Sequence, residues 1–254
     1  MTDLQKASIS KRIAAALLDF ILLTILVAGA ATLIANIVGY GHYIDAIEAR
    51  QTHFEEEFGV SFSTTEDEYY NKLTDEQRKQ YDEAMYALMH DEEFVRAYDM
   101  QVNLSMIIIT FGILFGMLIV EFLIPMFLKN GQTLGKKVFS LGLVRTDGVE
   151  ITKMQLLIRT LLGKFVTETM IPVYIFLMLF FNVADYISLV IFVALFCGQA
   201  ICLILTRTNS AIHDLMAGTV VIDLSTQMVF RSQEDLLEYT KKIHAEQANC
   251  SDYN

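Results

Sequence analysis

The sequence predicts an all-α membrane protein with about four transmembrane helices. Apolar residues make up 54% of the chain and occur in four long blocks, at 13–38, 104–128, 161–181 and 186–206. A water-soluble domain of 254 residues would instead spread its apolar residues at the period of its helices or strands. A helix rises about 1.5 Å per residue, so each block is long enough to cross a hydrocarbon core of about 30 Å.

Two of the blocks carry features that a plain membrane helix lacks. In the first block, Asp19 lies where a cleaved signal peptide would be apolar, and apolar sequence continues to residue 38, which favours a retained helix. In the third block, Lys164, Glu168 and Pro172 interrupt the first half. The stretch 154–168 therefore fits either an amphipathic helix along the inner interface or the beginning of the third span.

The distribution of charge predicts the topology. The segment 40–101 holds sixteen acidic and five basic residues, which accounts for the whole net charge of −11. Basic residues cluster instead before the first block, between the second and third blocks, and after the fourth. Short basic segments stay on the cytoplasmic side, so both termini are predicted to be cytoplasmic. Residues 40–101 are then extracytoplasmic, and a tight outer turn lies at 182–185.

This topology divides the chain into six segments. They are the N-terminus with the first transmembrane helix (1–39), an extracytoplasmic acidic helical insertion (40–101), the second transmembrane helix (102–128), a cytoplasmic loop with a hairpin (129–153), an amphipathic segment with the third and fourth transmembrane helices (154–206), and a cytoplasmic C-terminal segment (207–254). In the cytoplasmic parts, 139–144 and 219–224 have the pattern of short strands, and Asp147-Gly148 is typical of a hairpin turn. We therefore expect a small cytoplasmic β-hairpin or sheet.

The acidic insertion is predicted to be helical. Two capping boxes, at 65–68 and 74–77, mark the beginnings of helices, and an apolar stripe follows the second box. The stripe consists of Tyr81, Met85, Leu88, Met89 and Val95. No proline or glycine occurs from residue 73 to residue 111, so this helix is predicted to continue into the second span. The stripe either packs in a hairpin against 43–58 or forms a docking face for a partner.

The sequence lacks a recognisable constellation for catalysis or for binding a cofactor. Segment 131–137 (GQTLGKK) resembles a phosphate-binding loop, but it is one residue short between its glycines and has Lys137 in place of the Ser or Thr that would hold magnesium. The five histidines are scattered, and the basic residues are few and dispersed. We therefore predict no enzyme activity, no cofactor, no metal site and no nucleic-acid partner.

Three short motifs make the chain resemble the RDD family of bacterial integral membrane proteins. They are KRIA at 11–14 with Asp19 seven residues after Arg12, the segment 131–137 with the hairpin that follows it, and HDLMAGT at 213–219. The family takes its name from one arginine and two aspartates, which match Arg12, Asp19 and Asp214. The resemblance implies a multi-pass protein of the bacterial cell membrane that is suspected of transport. It says nothing about 40–101, which is an insertion beyond the family's usual short loop.

Charged residues inside the predicted spans indicate a site. Asp19 and Glu121 lie at similar depths, about 10 Å from the inner ends of the first two spans. An ionised carboxylate at that depth costs several kcal/mol unless it is paired or protonated. Arg159 and Lys164 are available as partners, and Asp214 lies at the membrane boundary. The candidate ion or proton site therefore comprises Asp19, Glu121, Arg159 and Lys164.

Two functions from different classes remain open. The first is transport of a small ion or proton through this inner-half site, which favours a homo-oligomer because four spans are few for a lone carrier. The alternative is a non-transporting structural or regulatory protein that binds another membrane protein through its acidic extracytoplasmic helices. In that case the intramembrane charges only fix how the helices pack. The lipid bilayer is the partner that both hypotheses share.

Overall fold

The computed structural model describes residues 7–62, 70–180, 186–206 and 209–251. It is mostly helical (78%), with four helices apolar and long enough to cross a membrane and a small two-stranded sheet, so the predicted fold class is confirmed. The predicted capping box at 65–68 and the predicted turn at 182–185 lie outside the described residues. The chain forms two compact units, the first from Met1–Val27 with Ile113–Asn254 and the second from Ala28–Gly112.

The described helices are numbered here in chain order. They are α1 (Ile9–Ile37), α2 (Tyr40–Phe58), α3 (Asp75–Met89), α4 (Glu92–Met117), α5 (Ile124–Phe127), α6 (Leu134–Val138), α7 (Lys153–Ile158), α8 (Ile171–Phe180), α9 (Tyr186–Leu205), α10 (Ile212–Ala217) and α11 (Gln233–Ser251). Two π-helical segments continue the helical path, Leu118–Leu123 between α4 and α5 and Arg159–Met170 between α7 and α8. A short 3₁₀ turn, Lys129–Gly131, follows α5.

Four helical stretches among the described residues are candidate membrane spans. They are Ile9–Ile37, Glu92–Phe127, Lys153–Leu179 and Tyr186–Leu205, called the first to the fourth span below. Many of their apolar side chains are exposed, among them Phe20, Phe196 and Ile204, as suits helices that lipid tails can cover. The third span is helical throughout, so the stretch 154–168 is continuous with the helix that follows it.

The small sheet of the first unit joins segments that are far apart in the sequence. Strand β1 (Leu141–Arg145) pairs antiparallel with strand β2 (Thr219–Asp223). The turn at Asp147-Gly148 follows β1, but the residues after it form only an isolated bridge back to the strand. The hairpin stays rudimentary because Thr152 caps α7 almost immediately, which leaves no length for a second hairpin strand.

One core connects this sheet to two of the spans. Leu141, Leu143 and Val221 of the sheet are buried together with Ala15 of the first span and Leu156 of the third. Burying apolar side chains from all three elements stabilises one arrangement of them. This core therefore positions the charged residues that the two spans carry nearby.

The second unit contains a helical hairpin. Helix α2 packs against α3 through a core that includes Phe54, Leu88 and Phe94. The capping box at Thr74 is present, because its hydroxyl accepts the Gln77 N–H and the Gln77 side chain accepts the Thr74 N–H. Tyr81 and Leu88 of the apolar stripe are thus buried within the insertion, as one of the two sequence-based interpretations expected.

The prediction of a continuous helix from residue 73 into the second span is wrong. Helix α3 ends at Met89, and α4 begins just after Asp91, whose carboxylate accepts the Phe94 N–H at 2.8 Å. An aspartate in this capping position begins a new helix. The break changes which side chains face inward, so Phe94 is buried while Met89 and Val95 of the predicted stripe are exposed.

Candidate functional site

Nine titratable side chains of the first unit come together in what we call the charge cluster. Four are carboxylates, four are cations and one is an imidazole. They are Asp19, Glu121, Glu168 and Asp214, then Arg12, Lys136, Arg159 and Lys164, and finally His213. The first three spans supply six of them, α6 supplies Lys136, and α10 supplies His213 and Asp214. Among the described residues, every buried side-chain nitrogen and oxygen has a hydrogen-bond partner.

Asp214 connects α10 to two of the spans. Its carboxylate accepts Arg12 Nη2 at 3.2 Å and Arg159 Nε at 3.0 Å, and it also accepts the Thr219 hydroxyl at 3.3 Å. Burial alone would raise the pKa of Asp214, but the surrounding positive charge outweighs it and holds the pKa well below its usual range. Asp214 is therefore ionised, and it stabilises the first and third spans against α10.

Glu121 of the second span is surrounded by three cations. Lys164 Nζ donates a short hydrogen bond to Oε1, while Arg159 Nη1 lies 3.4 Å and Lys136 Nζ 3.8 Å from Oε2. Its backbone carbonyl accepts the Thr160 hydroxyl at 2.9 Å, which joins the second span to the third. The negative charge of Glu121 is thus compensated by cations from two elements, α6 and the third span.

Asp19 of the first span is held in a different way. Its carboxylate accepts the Thr133 hydroxyl and, at 2.7 Å, the backbone N–H of Gly135. Within the described parts of the chain, no cation lies within 4.0 Å of it. A Cβ added at Gly135 would lie 2.2 Å from the Ala15 carbonyl oxygen and 2.8 Å from Asp19 Cγ, so only glycine permits this approach. Segment 131–137 therefore forms a cradle for a carboxylate, and this carboxylate is the side chain of Asp19 in the same chain.

Lys136 lies close to this cradle and to Glu121. Its Nζ donates to the Thr133 hydroxyl at 3.3 Å, the same hydroxyl that donates to Asp19. Burial lowers the pKa of Lys136 to about 8, although the Glu121 carboxylate counteracts part of this shift. Lys136 can therefore lose its proton close to neutral pH, which the neighbouring arginine cannot do.

His213 has a tautomer that its neighbours determine. Arg159 Nη2 lies 2.8 Å from Nε2, and a guanidinium can only donate, so Nε2 is the acceptor. Nδ1 therefore carries the proton and donates it to Glu168 Oε2 at 2.7 Å, while Glu168 Oε1 accepts the backbone N–H of His213 at 3.1 Å. Burial lowers the pKa of His213; the Asp214 carboxylate counteracts part of this shift, and the Arg159 charge adds to it. The imidazole is thus a neutral link between a cation and a carboxylate.

The π-helical segments explain why the charges of the third span face one way. Arg159, Lys164 and Glu168 are five and four residues apart, a spacing that would scatter them around an α-helix. In a π-helix the hydrogen bonds run to the fifth residue, as the Thr167 hydroxyl also does to the Leu162 carbonyl at 2.8 Å. The wider turn brings the three side chains onto one face. Such π-helical turns occur frequently at functional sites.

A cavity of about 330 Å³ lies at the centre of the charge cluster. Asp19 and Glu121 both line it, together with Lys136, Arg159 and Lys164. Glu121 is buried and does not face lipid, so the two carboxylates can act on the same space. Its volume and the charged side chains on its wall suit a small hydrated ion or a few waters. In the described ranges, no group of three or more His, Cys, Asp or Glu side chains has the arrangement of a metal site.

All the residues singled out from the sequence lie in the charge cluster, although their partners differ from those that helix spacing suggests. Arg12 pairs with Asp214, whereas Asp19 seven residues later contacts the loop after the second span. Sequence reasoning missed Lys136, Glu168 and His213 as members. The first and last of these stand inside the motifs at 131–137 and 213–219, which was the available signal.

Four long apolar helices, three of which carry charged side chains that line one cavity, define a multi-pass integral membrane protein. The sequence model of the RDD family matches residues 6–218, which is most of the chain, so the protein belongs to the RDD family. No curated protein and no solved structure is detectably similar to it. The resemblance drawn from the three motifs is thus confirmed.

Proposed function

We propose that this protein carries a proton or a small cation through the cavity of the charge cluster, with Asp19 as the exchanging carboxylate. One observation supports this most directly. Asp19 lines the cavity and is held by two hydrogen bonds, without a cation within 4.0 Å among the described residues. Glu121 lines the same cavity but is matched by three cations. An incoming cation is therefore stabilised more at Asp19 than at Glu121, where the three cations already present would repel it.

The charge balance of the cluster favours an exchange of one cation for one proton over the binding of a cation alone. Its four carboxylates are matched by four cations when His213 is neutral. A cation bound at Asp19 would leave an excess positive charge in a low-dielectric site, which is unfavourable. Lys136, with its lowered pKa of about 8, can restore neutrality by releasing a proton. One cation entering and one proton leaving would keep the cluster neutral.

The membrane arrangement is part of the same proposal. We place the protein in the bacterial cell membrane with both termini cytoplasmic. The basic residues precede the first span, lie between the second and third spans and follow the fourth, and short basic segments stay on the cytoplasmic side. The exposed apolar surfaces of the first and fourth spans leave room for a homo-oligomer, which a carrier of four spans would favour. We assign no enzyme activity.

A non-transporting role is the second candidate, and the complete pairing of the cluster favours it. Every buried polar side-chain atom in the described chain has a partner, as a network that only fixes helix packing requires. Function would then reside in 40–101, where Tyr86, Met89 and Tyr98 are exposed on the acidic helices and could contact another membrane protein.

Ion flux in liposomes separates the two candidates. Purified protein is reconstituted with an internal pH-sensitive dye, and a sodium or potassium gradient is imposed. The wild-type protein should move protons in response, and Asp19→Asn should lower the rate at least tenfold. Asp147→Asn, in the turn after β1 and outside the charge cluster, is the matched control and should keep the rate. Wild-type flux no greater than that of empty liposomes would refute transport.

Impermeant labelling tests the orientation. Single cysteines replace Glu56 in α2 and Thr240 in α11, in a background whose three native cysteines are changed to serine. The two positions should react from opposite sides of the membrane. Reaction of both from the same side would refute the proposed topology.

A further inference from the structure

A second cavity of the first unit lies where the second span ends and the third begins, and we call it the end pocket. Its volume is about 310 Å³, and its walls are the loop 127–131 and the segment 150–153. A Cβ added at Gly131 would lie 2.9 Å from Ile151 Cγ2 and 3.2 Å from Leu143 Cβ. The loop backbone therefore packs directly on the other segment, and this contact forms the pocket.

The polar side chains of the end pocket contrast with those of the charge cluster. Lys129, Asn130, Glu150 and Lys153 line the pocket, and none of these side chains forms a hydrogen bond or ion pair with another described residue. Lysines 136 and 164 of the charge cluster are both paired. Two lysines and one glutamate give the end pocket a net charge of +1. It therefore has unused donors and suits a ligand with a single negative charge.

The position of the pocket indicates where that ligand comes from. Phe127 ends the second span and is 80% exposed, and Met154 in the first turn of the third span is 64% exposed. Apolar side chains beside lysines at the ends of spans are typical of the membrane interface, where lysines reach phosphate groups. Basic pockets between transmembrane helices bind acidic lipid headgroups by the same chemistry.

We propose that the end pocket binds the phosphodiester headgroup of an anionic phospholipid. Lys129 and Lys153 contact the phosphate, the Asn130 amide donates to it, and the acyl chains lie beside Phe127 and Met154. Glu150 limits the pocket to one net positive charge, so a singly charged phosphodiester fits better than a doubly charged phosphomonoester. This site is separate from the charge cluster, and its occupancy does not depend on transport.

Native mass spectrometry of the full-length protein in an uncharged detergent tests the proposal. The protein is titrated separately with phosphatidylglycerol, with phosphatidylcholine and with inorganic phosphate. We expect phosphatidylglycerol to bind at least tenfold more tightly than phosphatidylcholine. The double variant Lys129→Gln/Lys153→Gln should weaken phosphatidylglycerol binding about 30-fold, on the basis of the attraction contributed by each lysine. The double variant Lys241→Gln/Lys242→Gln removes two exposed lysines from α11 and should stay within twofold of wild type.

A third variant keeps the test decisive if the first is poorly folded. Glu150→Gln raises the pocket to a net charge of +2 and should tighten phosphatidylglycerol binding severalfold. Equal binding of the two lipids, unchanged binding in the Lys129→Gln/Lys153→Gln variant, or weaker binding in Glu150→Gln would each overturn the proposal. Displacement of phosphatidylglycerol by millimolar inorganic phosphate would overturn the lipid as the source and assign the pocket to free phosphate.

Discussion

The charge cluster of the first unit and the acidic hairpin of the second use the same residue types in opposite ways. In the cluster, four carboxylates and four cations are gathered around one cavity and matched in number. The segment 40–101 holds sixteen acids and only five bases, and most of its described carboxylates are exposed. Its core is apolar and aromatic instead, with Phe54, Leu88 and Phe94.

This difference shows when a charge determines structure. A buried charge in low dielectric costs several kcal/mol unless its partner is in place, so the cluster specifies which elements meet. An exposed charge is already solvated, and its ion pairs contribute little. Substitutions that remove a charge should therefore have large effects in the first unit and small effects in the second.

Arg159 offers the strongest test of this contrast. Its side chain is 2% exposed and contacts Asp214, Glu121 and His213. Arg159→Met leaves two buried carboxylates short of a partner, and we expect it to lower the free energy of unfolding by about 3–5 kcal/mol. Arg50→Met in α2 breaks a more exposed pair with Asp91 and should cost far less. Thermal unfolding in detergent measures both, and similar losses would break the comparison.

Two glycines, one in close backbone contact and one without neighbours, form a matched pair of test positions. Gly135→Ala would place its Cβ 2.2 Å from the Ala15 carbonyl oxygen, so we expect a loss of about 1–3 kcal/mol and disturbance of the Asp19 cradle. Gly41→Ala in α2 meets no atom within 4 Å and should stabilise the helix by up to about 1 kcal/mol. Denaturant titration of both variants checks the opposite signs. A stable Gly135→Ala variant would contradict the close approach.

The pH dependence of stability should arise partly from His213. Its pKa is lowered by burial, so below the ordinary value of 6.5 the unfolded chain binds a proton that the folded protein does not. The stability contribution is complete above that pH and is lost as the pH falls below it, with a slope of at most about 1.4 kcal/mol per pH unit. His213→Gln should flatten the melting temperature between pH 7 and pH 5. His42→Gln, which removes an exposed imidazole from α2, should keep the wild-type slope.

The smallest effect is expected from removing most of the acidic hairpin. Replacing residues 45–96 by a short Gly/Ser linker deletes the Phe54, Leu88 and Phe94 core but no member of the charge cluster. Membrane yield and melting temperature should stay close to wild type. Arg12→Ala, which removes a partner of Asp214, should lower the folded amount clearly. A deletion as harmful as Arg12→Ala would show that the hairpin is needed for insertion.

The sequence predicted the four spans because hydropathy is a local property that a window of about twenty residues contains. It also identified Asp19, Glu121, Arg159 and Lys164 as unusual, since a charge inside an apolar block is visible without knowledge of the fold. The break at Asp91 could have been anticipated from its capping chemistry. The uninterrupted helical composition around it gave the opposite indication.

The sequence by itself determined that this is a multi-pass membrane protein with charges inside its spans. Only the tertiary structure decided which charged side chains pair with each other. Asp19 binds the N–H of Gly135, 116 residues away, and β1 pairs with a strand almost eighty residues later. The π-helical turns gave the third span a spacing that no α-helical period predicts. Desolvation and close backbone approach exist only once distant segments pack together, so the partners of buried charges are properties of the fold.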